Sequence, residues 1–286
     1  MKNKLWLFYS ILTTLTWGIW GALIELPEKA GFPATLGYSI WALTMIPCAL
    51  VGLMLIKFKL EVDKKSVILG MIIGLTGAGG QIILFEALRL GPAYIIFPVV
   101  SLYPVVTIIL SLWILKEKTN RRSWIGVIIA LIAIFLLSYM KPKNLEISGY
   151  LWLGLSFLVF LMWGLQAVFM KIANNSMRAE SIFTYMTISG ILLIPVAYWM
   201  TDFSQNINWG FKGPYLAAMI HILNAMGALF LVYAMRYGKA IIVAPMTSLS
   251  PMITIVLSLA IYSVFPNPAM IVGFVFALIA IYLFST

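Results

Sequence analysis

Ten long apolar stretches run through this chain, separated by short polar breaks. They lie at about 5–26, 34–56, 66–88, 92–115, 123–140, 149–171, 180–200, 212–235, 239–262 and 268–285. A helix rises 1.5 Å per residue, so roughly 20 apolar residues cross a hydrocarbon core of about 30 Å. Each stretch reaches that length, some by a small margin. Period-2 alternation of apolar and polar residues is absent, which argues against a β-barrel. Breaker residues mark most gaps: Pro27 and Pro33, Gly91-Pro92, Pro142, Gly213-Pro214, Pro266 and Pro268. The pattern predicts an all-α membrane protein of ten transmembrane helices.

The pattern also repeats. Residues 87–138 and 234–285 align without a gap at an offset of 147, with 24 identities in 52 positions. Ala87, Arg89, Gly91, Ala93, Pro98, Ser101, Pro104 and Thr107 return as Ala234, Arg236, Gly238, Ala240, Pro245, Ser248, Pro251 and Thr254. A weaker echo sets Trp17-Gly18 against Trp163-Gly164 at an offset of 146. The chain therefore divides into two five-helix units, 1–141 and 148–286. Five is odd, so the second unit enters the membrane inverted relative to the first. Homologous halves of opposite orientation are related by a pseudo-two-fold axis in the membrane plane, the architecture of many secondary transporters.

Composition agrees. The chain is 63% hydrophobic and 10% charged, against about 25% charged in soluble domains. Apolar segments fill nearly the whole length and leave no room for a separate soluble domain. The net charge of +10 is carried by short basic runs between the apolar stretches. That placement serves membrane topology rather than nucleic-acid binding. With the N-terminus inside, 14 Lys and Arg residues fall on the cytoplasmic side, from Lys2 and Lys4 to Arg236 and Lys239, and 5 fall outside: Lys29, Arg89, Lys141, Lys143 and Lys212. Both termini are thus expected in the cytoplasm. The opening Lys2-x-Lys4 and apolar run imitate a signal peptide. The run is too long for one and has a partner in the second half, so it reads as a retained span. Cys48 stands alone in an apolar run and forms no internal disulfide.

The run Ala87-Leu-Arg-Leu-Gly-Pro-Ala93, followed by Pro98, Ser101-Leu102, Pro104 and the Lys116-Glu117-Lys118 turn, resembles the EamA-like branch of the drug/metabolite transporter superfamily. Trp17-Gly18 in the first span fits the same resemblance, which extends over both halves. It implies a ten-helix inner-membrane carrier of small metabolites, often an exporter, with spans 1–4 and 6–9 around a central cavity. The position after Trp-Gly-x6, often basic in this family, is Lys171 in the second half and Glu25 in the first.

Ionisable groups at membrane depth are costly, so each needs a reason. All nine acidic residues lie in loops or near span ends, with Glu25, Glu86 and Glu180 closest to the lipid core. Arg89 and Arg236 read as interfacial anchors. The deepest ionisable group is His221, the only histidine, roughly 13 Å into its span along a helix. Asn224 and Ala228 share its face, and their counterparts Gly74, Gly77 and Gln81 share another. The expectation is a cavity wall, with His221 binding substrate or carrying a proton. Glu25 and Glu86 are the other candidate proton carriers. The competing reading is a histidine bonded between helices, beside glycines that only allow close packing.

Spans 4 and 9 hold prolines six apart, Pro98 with Pro104 and Pro245 with Pro251, which remove backbone donors and kink helices. Ser101, Thr107, Ser248, Ser250 and Thr254 are near enough to satisfy freed carbonyls. Trp17, Trp20 and Trp163 lie too deep for an interfacial belt, and Gln166 matches Trp20 in the repeat. Together Trp17, Trp20, Gln81, Ser101, Tyr103, Trp163, Gln166, His221, Asn224, Ser248 and Ser250 outline a candidate substrate site. Aromatic walls with few polar groups suit a small neutral or zwitterionic solute, amino-acid-like and apolar or aromatic. No buried Arg or Lys awaits a phosphorylated one. A facilitative carrier or uptake permease for a sugar, nucleobase or organic cation is the alternative.

A membrane enzyme would need a buried nucleophile–base pair or a ligand cluster, and a channel would need a filter ring. Neither pattern is present, so no catalytic residue, metal or cofactor is expected. The expected partners are a small-molecule substrate and the lipid bilayer, with no nucleic acid. The expected assembly is a monomer or a weak homodimer through small-residue faces on spans 5 and 10. A bacterial inner membrane is the expected location.

Overall fold

The computed structural model describes residues 4–139, 149–263 and 265–285. Lys2, Lys141, Pro142 and Lys143 lie outside the described residues, as does the end of the fifth expected span. The described chain is helical throughout, with no strand. The helices are α1 (Leu5–Leu23), α2 (Glu25–Lys29), α3 (Ala34–Leu55), α4 (Lys64–Leu90), α5 (Ala93–Ser101), α6 (Pro104–Trp113) and α7 (Arg121–Leu137). After them come α8 (Leu151–Ala173), α9 (Ala179–Leu192), α10 (Ile194–Trp199), α11 (Leu216–Tyr237), α12 (Ala240–Thr247), α13 (Pro251–Tyr262) and α14 (Pro268–Ser285). A π-helical turn, Phe211–Tyr215, leads into α11.

Local chemistry sets several ends. Asp63 caps α4, its carboxylate accepting from the Ser66 N–H at 3.1 Å. Asn120 caps α7 in the same way, accepting from the Ser123 N–H at 2.7 Å. Pro104, Pro251 and Pro195 stand in the first turn of α6, α13 and α10, where a missing N–H costs nothing. Nine segments among the described residues are long and apolar enough to cross a membrane. The chain is therefore a multi-pass membrane protein. The described part of α7 has 17 residues, while α14, its repeat counterpart, has 18.

The packing crosses between the halves. Helix α4 lies along α8 and α9, and α11 lies along α1 and α3, which are the repeat counterparts of α8 and α9. Likewise α6 packs on α8 as α13 packs on α1. The same exchange brings α7 against α14, with Ala130, Ala133, Ala277 and Ala280 fully buried between them. Lipid tails are as apolar as leucine, so helix association here relies on close packing of small residues. The small faces of α7 and α14 meet each other within the chain.

One end of the bundle gathers the basic loops. Arg178 donates to the Lys59 carbonyl at 3.2 Å and pairs with Glu61 at 3.3 Å. Arg236 donates to the Met177 carbonyl at 3.1 Å. Lys239 donates to the Lys118 carbonyl. This end is called the basic face below. At the opposite end, Asn208 bridges to the Ala30 carbonyl at 2.9 Å, and Thr35 and Thr201 share a hydrogen bond of 2.7 Å.

Candidate functional site

The site begins at the two proline breaks. A proline clashes with the carbonyl four residues back, so the chain leaves the helix before Pro104 at Leu102-Tyr103 and before Pro251 at Ser248–Ser250. Ser101 and Ser248 donate back to the carbonyls of Pro98 and Ala244, at 3.0 and 2.9 Å. Just past each break a threonine reaches the other half. Thr107 donates to the Gly164 carbonyl at 3.0 Å, and Thr254 donates to the Gly18 carbonyl at 2.9 Å. These glycines are required by contact. A Cβ on Gly18 would lie 2.9 Å from the Ser250 carbonyl oxygen, and one on Gly164 would lie 2.9 Å from that of Tyr103.

The tryptophans beside those glycines repeat the same logic. Trp17 donates its indole N–H to the Asn224 carbonyl at 3.2 Å, and Trp163 donates to the Gly77 carbonyl, also at 3.2 Å. Each ring thus bridges the first helix of one half to the third helix of the other. A tryptophan deep in lipid needs a partner for its N–H, and a backbone carbonyl of the crossing helix supplies it here.

At the next position the halves diverge. Trp20 donates to Nδ1 of His221 at 3.2 Å, with the ring centroids 6.2 Å apart. Trp41 of α3 donates to Oδ1 of Asn224 at 2.8 Å. Tyr38 stacks obliquely on Trp41, centroids 5.2 Å apart, and donates its hydroxyl to the Gly190 carbonyl at 3.2 Å. Three tryptophans from α1 and α3 therefore fix two polar residues on α11. His221 is buried, while Trp17, Trp20, Trp41 and Asn224 are half-buried. In the related place on the other half, Gln166 replaces Trp20 and its amide fills the space over Gly77. Tyr103 lies edge-on to Trp163, centroids 6.0 Å apart, and its hydroxyl is 2.8 Å from Ser248 Oγ.

The structure thus brings Trp17, Trp20, His221 and Asn224 into one group, and Tyr103, Trp163, Gln166 and Ser248 into another. Ser101 is half-buried and turns its hydroxyl back on Pro98. Gln81 is half-buried a turn beyond Gly77 on α4. Ser250 stands at the N-terminal boundary of α13 and presents its carbonyl to Gly18. Glu25 and Glu86 lie outside both groups. Glu25 is exposed and pairs with Lys29 at 2.6 Å. Glu86 pairs with the exposed Arg89 at 2.5 Å at the end of α4. Sequence reasoning missed Trp41 and, one turn earlier on the same face, Gly37. A tryptophan eight residues into α3 was the only signal. Among the described residues, no group of three or more His, Cys, Asp or Glu is arranged to hold a metal ion.

The two ends of the bundle are not equivalent. At the basic face, Glu117 accepts from the N–H groups of Ala240 and Ile241, at 3.1 and 3.0 Å, and so caps α12. Its repeat counterpart in the sequence is Val264, a residue type whose side chain carries no acceptor. Lys171 donates to the carbonyls of Met235 and Gly238 at the end of α11, the pairing that a helix C-terminus favours. Helix α12 is buried at all but one position, whereas among the positions of its counterpart α5 whose burial is described only Ile96, Pro98 and Val100 are buried. Two surface cavities lie away from the aromatic groups. One of about 460 Å³ is lined by Glu25, Glu28 and Lys29, and another of about 580 Å³ by Lys64, Lys65, Ile68, Leu69, Ile72, Phe169 and Ile172.

A family model described as the EamA-like transporter family matches residues 4–139 and again 147–286. A stretch of 88 residues is 33% identical to an uncharacterized protein of Methanocaldococcus jannaschii, covering 30% of this chain. The chain spans 64% of the length of that curated relative. A protein of known crystal structure is similar in fold with a TM-score of 0.74, over 97% of this chain and 95% of that one. Its sequence is 14% identical, so this likeness concerns the fold alone.

Proposed function

The chain belongs to the EamA-like transporter family, and we propose that it is a secondary carrier moving a small neutral or zwitterionic metabolite by alternating access. In this reading α7 is the fifth of ten spans, added to the nine long apolar segments, and both termini lie on the basic, cytoplasmic face. The observation that carries the proposal is the polar and aromatic group of Trp20, Trp41, His221 and Asn224. It is built from both halves, with His221 and Asn224 in the second and third turns of α11 and Trp41 in the third turn of α3. Substrate sites of inverted-repeat carriers fall at such repeat interfaces near the midplane. The near-symmetric interlock of threonines and tryptophans is the hinge about which the halves would exchange shapes. The near-complete burial of α12 against the looser α5 fits a state closed at the basic face. Aromatic walls with two neutral polar residues favour an apolar or aromatic amino acid over a phosphorylated solute.

Counterflow tests this. The purified protein is reconstituted in liposomes preloaded with one unlabelled amino acid, and entry of the labelled form is followed. Saturable counterflow of an apolar or aromatic amino acid is the expected result. Flux that rises linearly with concentration and shows no counterflow would replace the carrier by a channel.

A further inference from the structure

The hydrogen-bond inventory around His221 and Asn224 has one sign. An indole N–H only donates. Trp20 therefore requires Nδ1 of His221 to accept, which leaves Nδ1 without a proton and puts the ring's proton on Nε2. Trp41 likewise requires the Asn224 oxygen to accept, which orients the amide and leaves its NH₂ pointing away. No hydrogen bond to either Nε2 or Nδ2 is found among the described residues. Gly37 faces the imidazole there. A Cβ on Gly37 would lie 3.4 Å from Nε2, so its absence keeps room beside that nitrogen.

We infer that His221 Nε2–H and the Asn224 amide form a donor-only pole that receives the carboxylate of a zwitterionic substrate. This rests on the carrier reading above and names the chemistry of its site. Polar donors withdrawn from water are costly unless met by an acceptor, and the pole offers donors without an acceptor. Both groups are neutral. The half-buried ammonium of Lys171 is held by the Met235 and Gly238 carbonyls at the basic end. A carboxylate entering here must therefore bring its own countercharge, since a lone buried anion is strongly penalised. An amino acid meets that condition. Its decarboxylated amine lacks the acceptor, and its N-acetyl derivative lacks the countercharge. The same bond from Trp20 excludes a proton on Nδ1, so His221 serves as a donor to substrate and not as a proton carrier while that bond is intact.

The test uses counterflow with phenylalanine and leucine, each beside its amine and its N-acetyl acid as competitors. The wild type is expected to be inhibited by the amino acid and at least roughly tenfold less by either analogue, the loss expected for a hydrogen bond to a charged group. Asn224→Asp keeps an acceptor for Trp41 but turns the donors into a carboxylate. It is expected to lose the amino acid by a similar factor and to gain the amine. Monodisperse elution of that variant confirms that it folds. If the wild type moves amino acids but the amines compete equally well, the donor pole is refuted and the carrier stands. If neither amino acid is moved, the substrate class fails, and the pole with it.

Discussion

Glu117 ties the Lys116–Lys118 turn to the start of α12 through two backbone bonds at the basic face, and removing its charge gives the sharpest prediction. In Glu117→Gln one amide oxygen can still accept from Ala240 or Ile241, but the amide NH₂ then confronts the second N–H. One charge-assisted hydrogen bond is lost, worth about 1.5–3 kcal/mol. The favourable meeting of a carboxylate with the N-terminus of α12 is lost too, worth about 0.3–1 kcal/mol. Glu117 is half-buried, so solvent screening places the sum near the lower end, about 2 kcal/mol. If the open state leaves Glu117 in water, that energy weights only the closed state. At 1.4 kcal/mol per decade, the open population rises roughly 30-fold. A cysteine at Thr247, fully buried on α12, reports it in a Cys48→Ala background. The rate of its modification by a small charged thiol reagent is expected to rise by that factor in Glu117→Gln. A rate within threefold of the parent would refute the view that Glu117 clamps this face.

Three further outcomes follow from the same geometry. Gly80→Ala and Gly227→Ala each drive a Cβ to 2.5 Å from the Trp163 or Trp17 ring, so each lowers the thermal midpoint by an overpacking cost of about 1–3 kcal/mol. Gly154→Ala, with nothing within 4 Å, leaves the midpoint unchanged or raises it. Thr107→Val and Thr254→Val each delete one interhelical bond, at about 1 kcal/mol. Because the two bonds match, thermal unfolding in detergent is expected to show equal losses, and a large difference would deny the equivalence of the breaks. The Asp63 carboxyl is held below its ordinary value by hydrogen bonds from Ser66. A depressed acid contributes stability above its unfolded value and loses it as pH falls through its folded one. Protection of the Ser66 amide, taken relative to its intrinsic exchange rate at each pH, is therefore expected to hold at neutral pH and to fall only in acid below the usual carboxylate range, and Asp63→Asn removes that step.

Hydropathy and self-comparison made much of this protein legible. Crossing a bilayer demands about 20 apolar residues, so span positions are written locally, and α1, α3, α4, α8 and α11 fall within a few residues of their expected bounds. The repeat is visible because homologous residues keep their spacing, and it foretold that Thr107 and Thr254 stand in related places. The prolines announced the breaks because a missing N–H acts on its own chain. His221 and Asn224 stood out because polar groups in lipid are rare.

What they bind to was not legible. A helix that is apolar all round carries no periodic mark of which neighbour it faces. Only the tertiary structure decided that α4 lies on α8 and that α11 lies on α1. The same holds for Trp41, whose indole meets Asn224 183 residues away, and for Glu117, which looked like a loop charge until α12 was placed beside it. The sequence determined where the chain enters the membrane and that it does so twice over. The crossing of the two halves decided which donors meet which acceptors, because hydrogen bonds in lipid are chosen by proximity in space and not by order along the chain.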